Sequence, residues 1–394
     1  MADWVASAGT SEALERALHF APDRGDLLAR VALYRNNSGD SSPTVDEDLQ
    51  RAARLNPLNS SVLMTLGLRE EFRGNSAKAE SYLVHAAEID HQFKPAWTLA
   101  NYYFRTNQPD KGWPMIQRVL DLDPLDFNPT PVFDLCWQQA GDNQDAARQI
   151  LGLIPKAGQR PVQYLQFLIG THRVDAALDA FPKALAAADS AIPSDVGTLA
   201  GFVDYLAGAD RMEEAVKVWN QLVDRGIIHS GRLDPAKGIS IADPDFRFPE
   251  LPNVPNTFGW HLAEIPGVFA GGFAGSLRLE INGDEPQSFE VLSTLAPVLS
   301  GARYRLRWKS DGSGLNAAQD PGFSFSIVQA GGVVTQCPPL LATGNAACDF
   351  VALSDTGPGH AGKARIELRY ARAQGTTRVS GVLQLFEVRL ERGL

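Results

Sequence analysis

The chain has 394 residues, of which 44% are hydrophobic and 21% charged, and a net charge of −10. That length exceeds the usual single core, and the composition is ordinary for a globular protein. Residues 1–230 hold 21 Lys and Arg against 30 Asp and Glu, whereas residues 231–394 hold 15 against 16. An acidic first half excludes the basic footprint that nonspecific nucleic-acid binding requires. No run of 18 apolar residues offers a bilayer span, and residues 1–10 lack the basic start and apolar block of a signal peptide.

From residue 11 the pattern is helical and repetitive. Leu63-Met64-Thr65-Leu66-Gly67 is followed by Gly74, Ala79, Leu83 and Ala86. The small residues let two antiparallel helices approach closely, and the large ones fill the space between them. A small residue near the start of each second helix recurs as Ala79, Gly112, Ala146, Ala176 and Ala215, at steps of 33, 34, 30 and 39 residues. A hairpin-ending proline recurs as Pro22, Pro57 and Pro124, with His91 standing between the last two. Turn signals fall at Gly74-Asn75, 107–110, 141–143 and 208–210. These landmarks give a half-repeat over 11–21 and five hairpins to about residue 227. Within them Cys136 reads as a buried small hydrophobe. Trp97 and Tyr103 have the spacing of inter-helix packing. Tyr102 and Arg105 are the candidates to face the groove of the array and hold a partner segment.

Pro235, Pro244, Pro249, Pro252 and Pro255 then crowd 21 residues, too many for a helix or an inner strand. Beyond them the period changes to two. Leu277, Leu279 and Ile281 alternate with charged residues, and so do Tyr304, Leu306 and Trp308, and Ile366, Leu368 and Tyr370; Phe323, Phe325 and Ile327 alternate with serines. About eight such half-buried strands make a sandwich. On the opposite side of one strand, Arg303, Arg305, Arg307 and Lys309 project together at about 6.7 Å intervals. Like charges in a row need offsetting, so this face expects either Glu280 and Glu290 on neighbouring strands or an anionic ligand such as acidic polysaccharide. Trp260, beside His261, is the candidate ring to stack on a pyranose; Tyr304, Trp308 and Tyr370 read as core. Cys337 and Cys348, eleven residues apart, are placed to form a disulfide, which belongs to an oxidising compartment.

Catalytic chemistry is missing from the pattern. The seven histidines are scattered, and no HExxH, CxxC, GxGxxG after a strand, GxxxxGK[ST] or GxSxG occurs. Carboxylate pairs such as Asp121/Asp123 and Glu213/Glu214 read as solvated charge. Neither an enzyme nor a cofactor is expected.

The repeat landmarks resemble those of tetratricopeptide repeat proteins over roughly 11–227. Asp245-Phe246, Phe258-Gly259-Trp260, Leu277-Arg278-Leu279, 301–306 and the closing 381–390 resemble jelly-roll carbohydrate-binding-like modules. The combination, with Phe133-Asp134-Leu135-Cys136-Trp137, is similar to bacterial cell-envelope proteins associated with exopolysaccharide or O-antigen production. This resemblance implies an all-α superhelical solenoid over 1–230, a Pro-rich linker and first strand over 231–257, and an all-β jelly-roll sandwich over 258–394. It also implies a non-enzymatic envelope scaffold whose groove binds a protein and whose sandwich binds a glycan or second protein. Such a scaffold would be periplasmic or membrane-tethered by an N-terminal anchor outside this sequence, and cytoplasmic if the disulfide does not form. The rival is a pure protein-interaction adaptor with the sandwich as a cap. Where many such modules end on an Asp pair that helps hold calcium, this chain has Leu385-Phe386-Glu387-Val388. Phe386 has no oxygen to offer calcium, so no metal site is expected.

Overall fold

The computed structural model describes residues 10–122, 128–248, 257–271, 275–316, 322–340, 343–353, 359–372 and 374–393. Pro124, Pro249, Pro252 and Pro255 lie outside them. Thirteen helices occur among the described residues. They are α1 (Ser11–Phe20), α2 (Gly25–Asn37), α3 (Pro43–Leu55), α4 (Ser60–Phe72), α5 (Ser76–Ile89), α6 (Phe93–Arg105), α7 (Pro109–Asp121), α8 (Thr130–Ala140), α9 (Gln144–Leu153), α10 (Arg160–Gly170), α11 (Val174–Ala187), α12 (Pro193–Gly208) and α13 (Met212–Asp224). Contacts pair α2 with α3, α4 with α5, α6 with α7, α8 with α9, and α12 with α13. The close approach expected of the small residues is present: a Cβ at Gly67 would lie 2.7 Å from Leu83 Cγ.

The pair α2/α3 precedes the five landmark residues, and the landmark count passed over it. Ala79, Gly112 and Ala215 are each the fourth residue of a second helix. The fourth residue of α3 is Asp46, buried and charged.

The chain divides into two compact units, Met1–Tyr164 and Leu165–Leu394. The sequence drew its boundary at 230, but the second unit holds α11 to α13 together with the sandwich. The buried Trp219 of α13 donates from Nε1 to Gly231 O at 3.0 Å and meets Phe258 edge-on at 5.4 Å. Asn220 exchanges two hydrogen bonds with the backbone of Leu233. Of the two phenylalanines in the Pro-rich segment, Phe246 is fully buried and Phe248 exposed.

Ten strands follow among the described residues: β1 (His261–Leu262), β2 (Val268–Gly271), β3 (Leu277–Ile281), β4 (Ser288–Leu299), β5 (Arg303–Asp311), β6 (Phe323–Val328), β7 (Val334–Pro339), β8 (Thr343–Val351), β9 (Ala361–Ala371) and β10 (Gly381–Arg392). They form two antiparallel sheets, β1-β4-β9-β6-β7 and β2-β3-β10-β5-β8. With β3 to β10 counted as one to eight, these eight strands run 2-7-4-5 and 1-8-3-6, the jelly-roll order. The alternation in the sequence sets the two faces. Leu277, Leu279, Tyr304, Leu306, Trp308, Phe323, Phe325, Ile366, Leu368 and Tyr370 are all buried in one core, and Trp308 of one sheet meets Phe325 of the other at 5.1 Å.

Cys337 on β7 and Cys348 on β8 are bonded, with Cα atoms 5.4 Å apart. Each strand is the edge of its sheet, so the bridge staples one open side of the sandwich. Opening it by Cys337→Ser/Cys348→Ser is expected to lower stability by about 2–3 kcal/mol, because the unfolded chain loses its eleven-residue loop. Denaturant unfolding of wild type and double mutant measures this, and coincident midpoints would show that the staple adds nothing. Cys136 is free and buried, and burial pushes its thiol up to about 12, so native alkylation should leave all three cysteines unlabelled.

Candidate functional site

In the first unit, the first helices of three successive hairpins, α2, α4 and α6, line a groove of about 740 Å3. Its floor is a stripe along α4, where Ser61, Met64, Thr65, Leu68, Arg69 and Phe72 recur at three- and four-residue spacing. The residues α4 buries are Val62, Leu63, Met64, Leu66, Gly67 and Glu70, so the stripe shares Met64 with the buried side and carries Leu68 and Phe72 outside it. Helix α2 contributes Leu33, Asn36 and Asn37, and α6 contributes Lys94 and Thr98. Leu68 is 42% exposed and Phe72 94%. An aromatic left that bare beside further apolar side chains marks an interaction surface.

A polar network fixes one wall. Asp46 takes Arg69 Nε at 2.6 Å and Arg69 Nη2 at 3.2 Å, and it also accepts Arg73. Arg69 Nη1 donates to Asn36 Oδ1 at 3.0 Å and to Asp40 O at 3.3 Å, tying α4 to α2. Arg73 Nη1 donates to the buried Glu70 at 3.1 Å, and Asn75 Nδ2 does so at 2.7 Å. Burial alone would raise the Asp46 carboxyl, but the hydrogen bonds from Arg69 and Arg73 outweigh it and hold the group below its ordinary value.

The two residues expected to face the groove do not line it. Tyr102 is fully buried; its hydroxyl donates to Ser76 O at 2.9 Å and its ring lies 5.7 Å from that of Tyr103. A side chain with no exposed surface contacts no partner, so Tyr102 belongs to the packing between helices. Arg105 is half exposed, but Nε and Nη2 hold both oxygens of Glu71 at 2.9 and 2.8 Å. The groove residues that sequence reasoning missed carried a signal in α4, where Leu68 and Phe72 follow the buried Met64 at four-residue spacing and come out on the exposed side.

In the second unit, Arg303, Arg305, Arg307 and Lys309 form one exposed row on β5, with Tyr304, Leu306, Trp308 and Ser310 buried between them. Their offsets come from the strands that flank β5. Arg305 grips Asp349 of β8 at 2.6 and 2.7 Å, Arg307 reaches Glu391 of β10 at 3.4 Å, and the Lys309 ammonium lies 5.6 Å from the centre of the Phe386 ring. Glu280 and Glu290, the partners expected from the sequence, stand elsewhere: Glu280 is beside Arg278 on β3, and Glu290 holds Arg365 in the other sheet. Trp260 is 3% exposed, donates Nε1 to Asp243 O at 2.7 Å and stacks on Phe246 at 5.3 Å. No sugar ring reaches it, so the pyranose platform expected there is a core tryptophan. Among the described residues, no cluster of three or more metal-ligating side chains occurs, and no helix is long and apolar enough to cross a membrane.

Helical hairpins followed by a jelly roll make the chain a tetratricopeptide-like solenoid protein with a β-sandwich. No protein-family model matches it, and no curated protein does. Among solved structures it is similar to YrrB, a tetratricopeptide protein with an unusual peptide-binding site, at 13% identity and a TM-score of 0.29 over 56% of this chain and 95% of that one. It is similar to PilF of Pseudomonas aeruginosa at 14% identity and 0.30, over 57% and 87%. Its similarity to a carbohydrate-binding module of family CBM4 is 12% and 0.28, over 39% and 100%. Likeness at this level says nothing of what the chain binds.

Proposed function

We propose that the chain is a non-enzymatic scaffold whose helical groove holds a peptide segment of a protein partner. The observation that carries this reading is the exposed pair Leu68 and Phe72 on α4, between α2 and α6 and next to the buried Met64, on a wall held rigid by Asp46 and its two arginines. A fixed groove with an apolar floor and scattered polar side chains suits an extended or helical segment with an apolar anchor. The setting we propose is an oxidising compartment, in keeping with the Cys337–Cys348 bridge. The sequence resemblance adds the bacterial envelope and polysaccharide assembly or export.

A random-peptide phage library panned on the full chain tests the groove. Selected peptides are expected to carry an aromatic or long aliphatic anchor and to bind Leu68→Ser/Phe72→Ser about tenfold more weakly or worse, the scale of one lost apolar anchor. Thermal unfolding should not change, since neither side chain is part of the core. Equal binding to wild type and double mutant would remove the groove as the site.

A further inference from the structure

Among the described residues, each sheet of the sandwich ends on two strands whose outer backbone edge no other strand takes. A free edge is a template for pairing unless something blunts it. Three of these four are blunted. β1 has two residues and β2 four. β7 ends on Pro338 and Pro339, and its register with β6 shifts between Ser324 and Ser326, so its ladder is both broken and bent. β8 has none of these devices. It pairs with β5 over nine consecutive residues, Thr343 to Val351, without a register shift. It holds no proline and one charge, Asp349.

The strand is also held in place. Cys348 is bonded to Cys337, and both Cys348 and Phe350 are buried. Its exposed side is small and nearly neutral: Asn345, Ala347, Asp349 and Val351. An antiparallel copy of β8 matches this edge in length, and a two-fold axis presents the same patch from both sides. Charge selects the register. Symmetry about residue 349 sets two Asp349 carboxylates against each other, which is destabilising. Symmetry about Ala347 sets two small side chains at the axis and each Asp349 opposite Asn345 of the other copy, whose amide can donate to it. Asp349 keeps lone pairs for this beside the grip of Arg305. Lys309 is the β5 neighbour of Asn345, so the incoming carboxylate stands two strand spacings from it, about 9.6 Å between Cα atoms. Lys309 lies over the Phe386 ring, and no carboxylate pairs with it among the described residues.

We propose that the protein forms a two-fold dimer by antiparallel pairing of β8 with β8 of a second copy, joining two β2-β3-β10-β5-β8 sheets edge to edge. The proposal does not depend on the groove of the first unit. Sedimentation velocity of the full chain, at concentrations up to about 100 μM, tests it. Exchange between monomer and dimer is expected. Ala347→Asp puts like charges at the axis and should weaken the dimer about tenfold or more. Asn345→Asp should weaken it several-fold, because each Asp349 then meets a carboxylate, whereas Asn345→Lys should hold or tighten it. A merely structural role for Asn345 would move both variants the same way. Arg278→Glu on β3 and Leu68→Ser/Phe72→Ser in the groove should leave the dimer as it is. If Ala347→Asp shifts the thermal unfolding transition, the two Asn345 variants decide. Three results would overturn the proposal: a monomer at every concentration, a dimer that answers both Asn345 variants alike, or one lost with Leu68→Ser/Phe72→Ser.

Discussion

Trp260→Ala is expected to destabilise the second unit by about 3–5 kcal/mol, the usual cost of emptying a buried tryptophan site. The indole is 3% exposed, and it makes two contacts that no smaller side chain replaces. It stacks on Phe246 at 5.3 Å and donates to Asp243 O at 2.7 Å. Asp243 is itself buried, and its two carboxylate oxygens accept the backbone N–H groups of Arg247 and Phe248 at 2.8 and 3.0 Å. Removing the ring therefore leaves a cavity, an unpaired carbonyl and a loosened turn in the segment that leads into the sandwich. Trp260→Phe should recover part of the packing and none of the hydrogen bond, giving an intermediate loss. Chemical denaturation with near-ultraviolet circular dichroism reads both. A folded Trp260→Ala protein with wild-type stability would show that the ring is not a structural part of this core.

The fold was largely legible because both periods are strong. Alternation in 303–310 named β5, its buried face and its cation row, and the small residues Ala79, Gly112 and Ala215 located three hairpins. What alternation cannot give is which strand lies next to which. Glu290 looked like a partner for the β5 cations because both belong to amphipathic strands. The jelly-roll order puts β4 and β5 in different sheets, and Asp349 and Glu391 take the place beside β5. Trp260 failed for a similar reason. Its burial depends on Phe246 and on a carbonyl at Asp243, a long-range fit through a Pro-rich stretch that has no period of its own. Tyr102 was misjudged within a period that was correct: Tyr102, Tyr103 and Phe104 are all buried, because α6 packs on more than one side. The polar row on the other sheet was invisible, since His261, Ser293, Glu367, Ser326 and Gln336 belong to five separate strands and meet only through register.

Asp46 shows how one unusual residue links fold and groove. At the position where other second helices carry a small residue, α3 carries a carboxylate, so the hairpin escaped a search for small residues. The same carboxylate orders Arg69 and Arg73 along the groove. Asp46→Ala is expected to destabilise the first unit by about 3 kcal/mol, toward the lower end for breaking a buried ion pair because Arg73 keeps access to water. The dependence on pH has a definite sign. The carboxyl titrates below its ordinary 3.8 when folded, so the folded state binds the proton less readily than the unfolded chain does. The stabilisation from Asp46 is thus complete above that ordinary value and is lost as pH falls through the folded one. Asp46→Asn retains the shape but has no proton to take up. Its stability should be lower than wild type at neutral pH, and the difference should narrow as acid protonates the wild-type carboxyl. Denaturant midpoints from pH 7 down to about pH 2 follow this convergence. Parallel curves with a constant gap would mean that Asp46 acts through shape alone. The groove wall would then owe its rigidity to Glu70 and Asn36.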